Sequence, residues 1–204
     1  MSGRGKLITL EGVDGSGKST HIAIVEQLLR GRGHSVLRTR EPGGTPLAEA
    51  LRKLVLETQM DGLSEVLIMF AARADHVARL IRPALEAGTW VVCDRYTDAT
   101  LAYQGAGKGV SVQLIRSLAD ATHPCLWPDL TLLFDCPFEV SSARLASTAR
   151  AKDRFEREDR AFFERVRGAY LEIAKAEVRR VALIDAAGEP NEVKQQVEQC
   201  ISKL

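Results

Sequence analysis

The stretch Gly12-Val13-Asp14-Gly15-Ser16-Gly17-Lys18-Ser19 constrains this chain more than any other. It fits the pattern GxxxxGK[ST]. A short apolar run, Lys6–Glu11, precedes it, and a helical pattern (Ile22, Val25, Leu28, Leu29) follows it. Strand, glycine-rich loop and helix in that order form the context in which such a loop cradles phosphate. Glycines let the backbone curl so that successive N–H groups point at phosphate oxygens. The helix start adds its positive dipole end. Lys18 is placed to reach the β- and γ-phosphates of a nucleoside triphosphate, and the Ser19 hydroxyl to ligate Mg²⁺.

The rest of the chain is organised around the same kind of unit. Short apolar runs at Lys6–Glu11, Ser35–Arg40, Thr89–Asp94, Asp129–Asp135 and Arg180–Asp185 read as strands. Longer stretches of helical period separate them. Such alternation needs crossover connections, hence a parallel sheet covered on both faces. The 204 residues suit one compact domain over 1–204. In the helix expected at about 62–86, Leu63, Leu67, Phe70, Ala74, Val77 and Ile81 fall on one line and predict the core stripe. Met69 and Arg73 share a flank of it. Phe162, Val166, Tyr170 and Ile173 likewise mark one face of 157–176. The segment 144–157 is different. Arg144, Arg150, Lys152, Arg154 and Arg157 outnumber its acids, with little apolar content, which reads either as a solvated helix end or loop or as a mobile basic flap over an anionic ligand.

Charge narrows the partners. Lys plus Arg total 28 and Asp plus Glu 27, a net charge of +1, so no bulk field draws nucleic acid or an anionic membrane. No run of about 18 apolar residues offers a membrane span, and no signal peptide opens the chain. A cytoplasmic protein is expected. The four cysteines form no CxxC pair and read as reduced, mostly buried thiols.

The reaction is narrowed by what surrounds the loop. No NKxD is present to read guanine. The strand Trp90-Val91-Val92-Cys93 ends in Asp94-Arg95, where hydrolysing motors carry Asp-Glu. Asp94 can serve Mg²⁺, while Arg95 suits a second anion. Transfer between two anions requires converging cations and the exclusion of water. Lys18, Arg40, Arg52, Arg73, Arg95 and the basic segment supply them. Arg40 and Arg95 stand at carboxyl ends of expected strands, where open α/β sheets bind ligands.

Five segments in order make the chain resemble the bacterial thymidylate kinases from end to end. They are Glu11 through Thr20, Thr39-Arg40-Glu41-Pro42-Gly43-Gly44-Thr45, Phe70-Ala71-Ala72-Arg73, Asp94-Arg95-Tyr96 with Ala102-Tyr103-Gln104-Gly105, and Asp153-Arg154-Phe155-Glu156. The resemblance implies a P-loop NTPase fold, a five-stranded parallel sheet flanked by helices, and a homodimer. It implies transfer of the γ-phosphoryl of ATP to thymidine 5′-monophosphate (dTMP), with Mg²⁺, through Lys18, Asp94, Arg95 and the lid arginines. Gly12 through Thr20 would hold ATP. Asp14 would approach the sugar 3′-hydroxyl or the Mg²⁺ shell. Arg95, Arg40 and Arg52 would bind the acceptor phosphate, with Glu41 beside them. Arg73 would donate to a thymine carbonyl, Thr100 and Gln104 would complete the base pocket, and Tyr103 would back the deoxyribose. Because the phosphate loop carries no arginine, the catalytic one is expected from the lid, with Arg150 and Arg154 leading and Arg144 third. Two positions depart from the family's habit: Met69 stands where Phe commonly covers the base, so that either Met69 or the neighbouring Phe70 would take that role, and Ala99 stands where Ser is frequent. Two other readings stand beside this one: a different nucleoside-monophosphate or deoxynucleoside kinase, and a P-loop regulatory module without transfer activity.

Overall fold

The computed structural model describes residues 3–148 and 154–204, and Arg150, Lys152 and Asp153 of the expected lid lie outside them. In chain order the elements are β1 (Leu7–Glu11), α1 (Lys18–Gly31), β2 (Val36–Arg40), α2 (Pro46–Glu57), α3 (Gly62–His76), α4 (Arg82–Glu86), β3 (Trp90–Asp94), α5 (Thr97–Thr100), α6 (Val112–Thr122), β4 (Leu130–Asp135), α7 (Phe138–Ala146), α8 (Arg160–Ala176), β5 (Val181–Asp185) and α9 (Pro190–Ser202). π-helical turns, Val77–Ile81 and Leu101–Gly107, continue α3 and α5.

All five strands run parallel in the order β2-β3-β1-β4-β5. Each begins one residue later than its apolar run suggests. The polar residue that opens each run (Lys6, Ser35, Thr89, Asp129 or Arg180) stays outside the strand. Asp129 instead accepts a hydrogen bond from the Leu7 N–H at 2.7 Å. β1 is buried along its whole length, as a strand central to a two-sided sheet must be, whereas the edge strands β2 and β5 each leave two residues exposed. Successive β1 side chains serve opposite faces. Ile8 and Leu10 pack with Val25, Leu132 and Val197 on one side. Leu7 packs with Val77, Ile81 and Val91 on the other.

The long helix needs a correction. It is continuous from Gly62 to Glu86, but its register slips into π geometry just before Pro83, which has no N–H to donate. Its core stripe is also turned by roughly a quarter turn from the expected line. Leu63 and Leu67 are 50% and 49% exposed, while Glu65, Val66, Met69, Arg73 and His76 are buried. Of the expected stripe Phe70, Val77 and Ile81 do meet the core, while Leu63 and Leu67 at its amino-terminal end do not. α8 matches its pattern: Phe162, Val166 and Tyr170 are buried and Ile173 half-buried. The cysteines are all free; Cys93 and Cys136 are buried, Cys200 is half-buried and Cys125 is exposed. Among the described residues no helix is long and apolar enough to cross a membrane.

Candidate active site

The phosphate loop leaves the carboxyl end of β1 in a backbone conformation that side chains oppose. Gly12 has φ +133°, and a Cβ there would lie 2.3 Å from the Phe134 carbonyl oxygen. At Gly15, φ is +76° and a Cβ would come within 2.6 Å of the Ser141 carbonyl oxygen. α1 starts at Lys18 with no side-chain cap, so its first-turn N–H groups face the loop as anion donors. The Lys18 ammonium is folded back, donating to the carbonyls of Gly12 and Val13, each at 2.8 Å. Burial, with the Arg95 charge behind it, pulls Lys18 down to about 8. α7 closes over the loop: the Ser141 hydroxyl donates to the Asp14 carbonyl at 2.7 Å, and Arg144 Nη1 lies 3.4 Å from the Ser16 carbonyl.

A cavity of about 830 Å³ opens in front of this loop, with Ser19, Arg40, Arg52, Asp94, Arg95 and Arg144 on its walls. Asp94 Oδ1 is buried without a hydrogen-bond partner among the described residues. Ser19 and Asp94 on one wall fit Mg²⁺ held partly by nucleotide phosphate and water. No group of three or more His, Cys, Asp or Glu side chains able to hold a metal occurs among the described residues.

Arg95 occupies the junction between two cavities. It has φ +68°. Its Nη2 donates to Asp14 Oδ1 at 2.6 Å and to the Tyr103 hydroxyl at 2.9 Å, and that hydroxyl donates to Asp14 Oδ2 at 3.0 Å. Burial alone would raise the Asp14 carboxyl, but the Arg95 and Lys18 charges hold it below its usual value. Behind Arg95 lies Glu11, fully buried, accepting from the Tyr96 N–H at 2.7 Å and the Tyr170 hydroxyl at 2.8 Å. Burial, then the neighbouring Asp98 charge, pushes Glu11 up to about 8.

The second cavity, about 90 Å³, shares Asp14, Glu41, Arg52 and Arg95 with the first and adds Met69, Ala99, Tyr103 and Gln104. Arg73 is 1% exposed. Its Nε donates to Glu41 Oε2 at 2.6 Å, and its Nη2 to Thr100 Oγ1 at 3.0 Å. Gln104 Nε2 donates to Glu65 Oε1 at 2.6 Å. Among the described residues two buried polar atoms here lack partners: Arg73 Nη1, a donor, and Gln104 Oε1, an acceptor. Thr100, which holds Arg73, and Gln104 are one helical turn apart. Gln104 lines the smaller cavity, whereas Arg73, expected to meet the base, does not; it stands behind the wall, held by Glu41, which does line it.

The thymidylate kinase family model matches residues 10–197. The chain belongs to the thymidylate kinase family. It is 54% identical over 197 residues to a thymidylate kinase of Bordetella petrii, covering 97% of this chain and 95% of that one. It is 53% identical over 194 residues to one of Methylobacillus flagellatus, covering 95% of each. A crystal structure of thymidylate kinase from Ehrlichia chaffeensis superposes with a TM-score of 0.78 at 34% identity, covering 97% of this chain and 99% of that one. The P-loop fold and the kinase class read from the sequence stand with these likenesses.

Within this thymidylate kinase fold most of the expected site residues converge. Lys18, Ser19, Asp94, Arg95, Arg52 and Asp14 surround the larger cavity, and Tyr103, Gln104 and Glu41 the smaller. Arg40 reaches the larger cavity while paired with Glu49 at 3.0 Å. Three expectations change. Phe70 does not line the base cavity: its ring lies beneath the Arg73 guanidinium, 4.7 Å from it, in a cluster with Val66, Leu101 and Ile115. Met69 lines the wall in its place. Thr100 is fully buried and supports Arg73 rather than the cavity. Arg154 is not at the phosphate loop: its guanidinium is taken by Glu65 and the Val55 carbonyl, because a buried carboxylate draws the nearest cations. Arg144, ranked third, is the lid-segment arginine seated on the loop. Arg150 lies outside the described residues.

The sequence does not place Glu11, Glu65, His76 or Tyr170 in the site; Glu11 reads as a strand end and Tyr170 as part of a helix face. Only Glu65 and His76 carried a signal: they fall in helical register with Met69 and Arg73, a polar line opposite Leu63 and Leu67.

Proposed function

We propose that this chain transfers the γ-phosphoryl of ATP to dTMP, giving ADP and dTDP. What supports this reading is the smaller cavity, joined to the phosphate loop through Arg95 and Asp14 and lined by Gln104, together with two buried polar atoms that lack partners among the described residues, Gln104 Oε1, an acceptor, and Arg73 Nη1, a donor, with Arg73 held by the cavity's Glu41. Thymine presents a carbonyl next to an N–H, the complement of that pair. Cytosine presents the reverse and leaves both protein atoms unpaired. A nucleotide seated there puts its 5′-phosphate at the cavity junction, between Arg52 and Arg95 and in front of the phosphate loop.

ATP phosphates would displace the loop carbonyls from Lys18, whose ammonium then faces the β- and γ-oxygens. Arg95 and Arg52 neutralise the acceptor phosphate, so that one of its oxygens can approach a second anion. Asp14 and Tyr103 hold the Arg95 guanidinium in place, and Tyr103 walls off the sugar. Arg144 supplies a cation from α7. Ser19 and Asp94 would hold Mg²⁺, which when bound neutralises charge developing on the transferring group. We place the second copy of a homodimer on the α2–α3 face, where Leu47, Leu54, Leu63 and Leu67 stand exposed.

The test is ADP release measured with ATP alone and with dTMP, dUMP, dCMP or thymidine added. Release is expected to depend on dTMP. dUMP lacks one methyl and should be poorer by about 10–200-fold in kcat/KM. Thymidine, with no phosphate for Arg95 and Arg52, should support almost none. Thymidine matching dTMP would make the chain a nucleoside kinase, and release without any acceptor would remove transfer altogether.

A further inference from the structure

Glu65 is fully buried on α3 and belongs to neither the phosphate loop nor the wall of the base cavity. Its carboxylate nevertheless meets three donors. Oε1 accepts from Gln104 Nε2 at 2.6 Å. Oε2 accepts from Lys108 Nζ at 2.8 Å and from Arg154 Nη2.

We infer that Glu65 determines base specificity by fixing which end of the Gln104 amide faces the cavity. This rests on the dTMP reading of that cavity. A primary amide turned by half a rotation exchanges its oxygen for its nitrogen at almost no steric cost. Gln104 alone would therefore offer either a donor or an acceptor to a base. A carboxylate oxygen only accepts. With Lys108 and Arg154 on Oε2, Oε1 is left as an acceptor, and the Gln104 nitrogen must turn toward it. The Gln104 oxygen is then turned away from Glu65 on a residue that lines the cavity, and it has no partner among the described residues. Arg73 needs no such device, since a guanidinium only donates. The pair is thereby locked as one donor and one acceptor, matched to thymine and reversed for cytosine. Glu65 touches no substrate in this account; it is a positioning residue.

Glu65→Gln tests this directly. The substitution is isosteric, and Lys108 and Arg154 are each partly exposed and can turn to solvent. The introduced amide can show Gln104 either an oxygen or a nitrogen, so the Gln104 side chain is released. The ratio of kcat/KM for dTMP to that for dCMP should fall at least about tenfold, mainly through a higher KM for dTMP, with kcat at saturating dTMP largely kept. A purely structural weakening would lower both substrates together and leave the ratio intact. Glu65→Asp is the second variant: it keeps the charge for Lys108 but draws the carboxylate back from Gln104. Its ratio should fall as well, and it decides the matter if Glu65→Gln does not fold. An unchanged ratio in either folded variant would overturn the inference. A wild-type protein with no preference for dTMP over dCMP would instead overturn the reading of the cavity, and the role of Glu65 with it.

Discussion

Lys18→Ala is expected to lower kcat by on the order of 10²–10³ or more while leaving a folded protein. The Lys18 ammonium is the one phosphate-loop cation, and it is held over the loop by the Gly12 and Val13 carbonyls, with no core contact depending on it. Its loss removes charge stabilisation where the transferring group passes. Stability should not suffer in proportion. Burial lowers Lys18 to about 8 from an ordinary value of 10.5, so the folded state disfavours its charged form. Between those two values the unfolded chain binds more protons, and Lys18 makes stability rise with pH across that window. Below pH 8 its charge is a burden on the ligand-free fold. Lys18→Ala should therefore remove that rise and cost little at neutral pH. Kinetics and thermal unfolding on the same sample check both halves. Near-normal kcat in a folded variant would displace the loop from the reaction.

Arg73→Ala should fail in two ways at once. It should raise the KM for dTMP at least about tenfold, by removing the donor proposed for the base carbonyl, while the KM for ATP stays close to wild type. It should also destabilise the protein by about 3–5 kcal/mol, because Glu41, itself buried, loses the cation that compensates it. Burial alone would raise Glu41, and Arg73, then His76, hold it low, so without Arg73 the buried carboxyl must either keep its charge poorly compensated or take up a proton, and both cost stability. His76 Nδ1, 3.0 Å from Glu41 Oε1, is the remaining partner. Substrate kinetics together with denaturant unfolding separate the two effects. A stable variant whose ATP KM moved instead would assign Arg73 to the donor side.

The parts of this fold written in local pattern were legible. Five apolar runs became five strands, each displaced by a single polar residue, because a sheet buried on both faces demands continuous apolar sequence. The phosphate loop announced itself through glycines that its geometry requires. The orientation of α3 was not legible. Its leucines point out of this chain, and its buried face carries Glu65, Arg73 and His76, residues that a hydrophobic pattern scores as exposed. Their burial is decided by partners elsewhere in the sequence: Glu41 for Arg73 and Gln104 for Glu65, with separations of 32 and 39 positions. Tyr170 meets Glu11 across 159 positions, and no spacing rule reaches that far. Arg154 shows the same limit. A count of positive charge marked the segment 144–157, but the buried carboxylate at Glu65 decided where this arginine rests.

The most direct test follows the phosphoryl group itself. ATP labelled at the γ-phosphorus is incubated with the protein and dTMP, and the products are separated. The label should appear in dTDP, one per ADP formed, with little in inorganic phosphate, because Arg95 and Arg52 seat an acceptor at the junction of the two cavities. Label recovered chiefly as inorganic phosphate, at a rate indifferent to dTMP, would contradict the account.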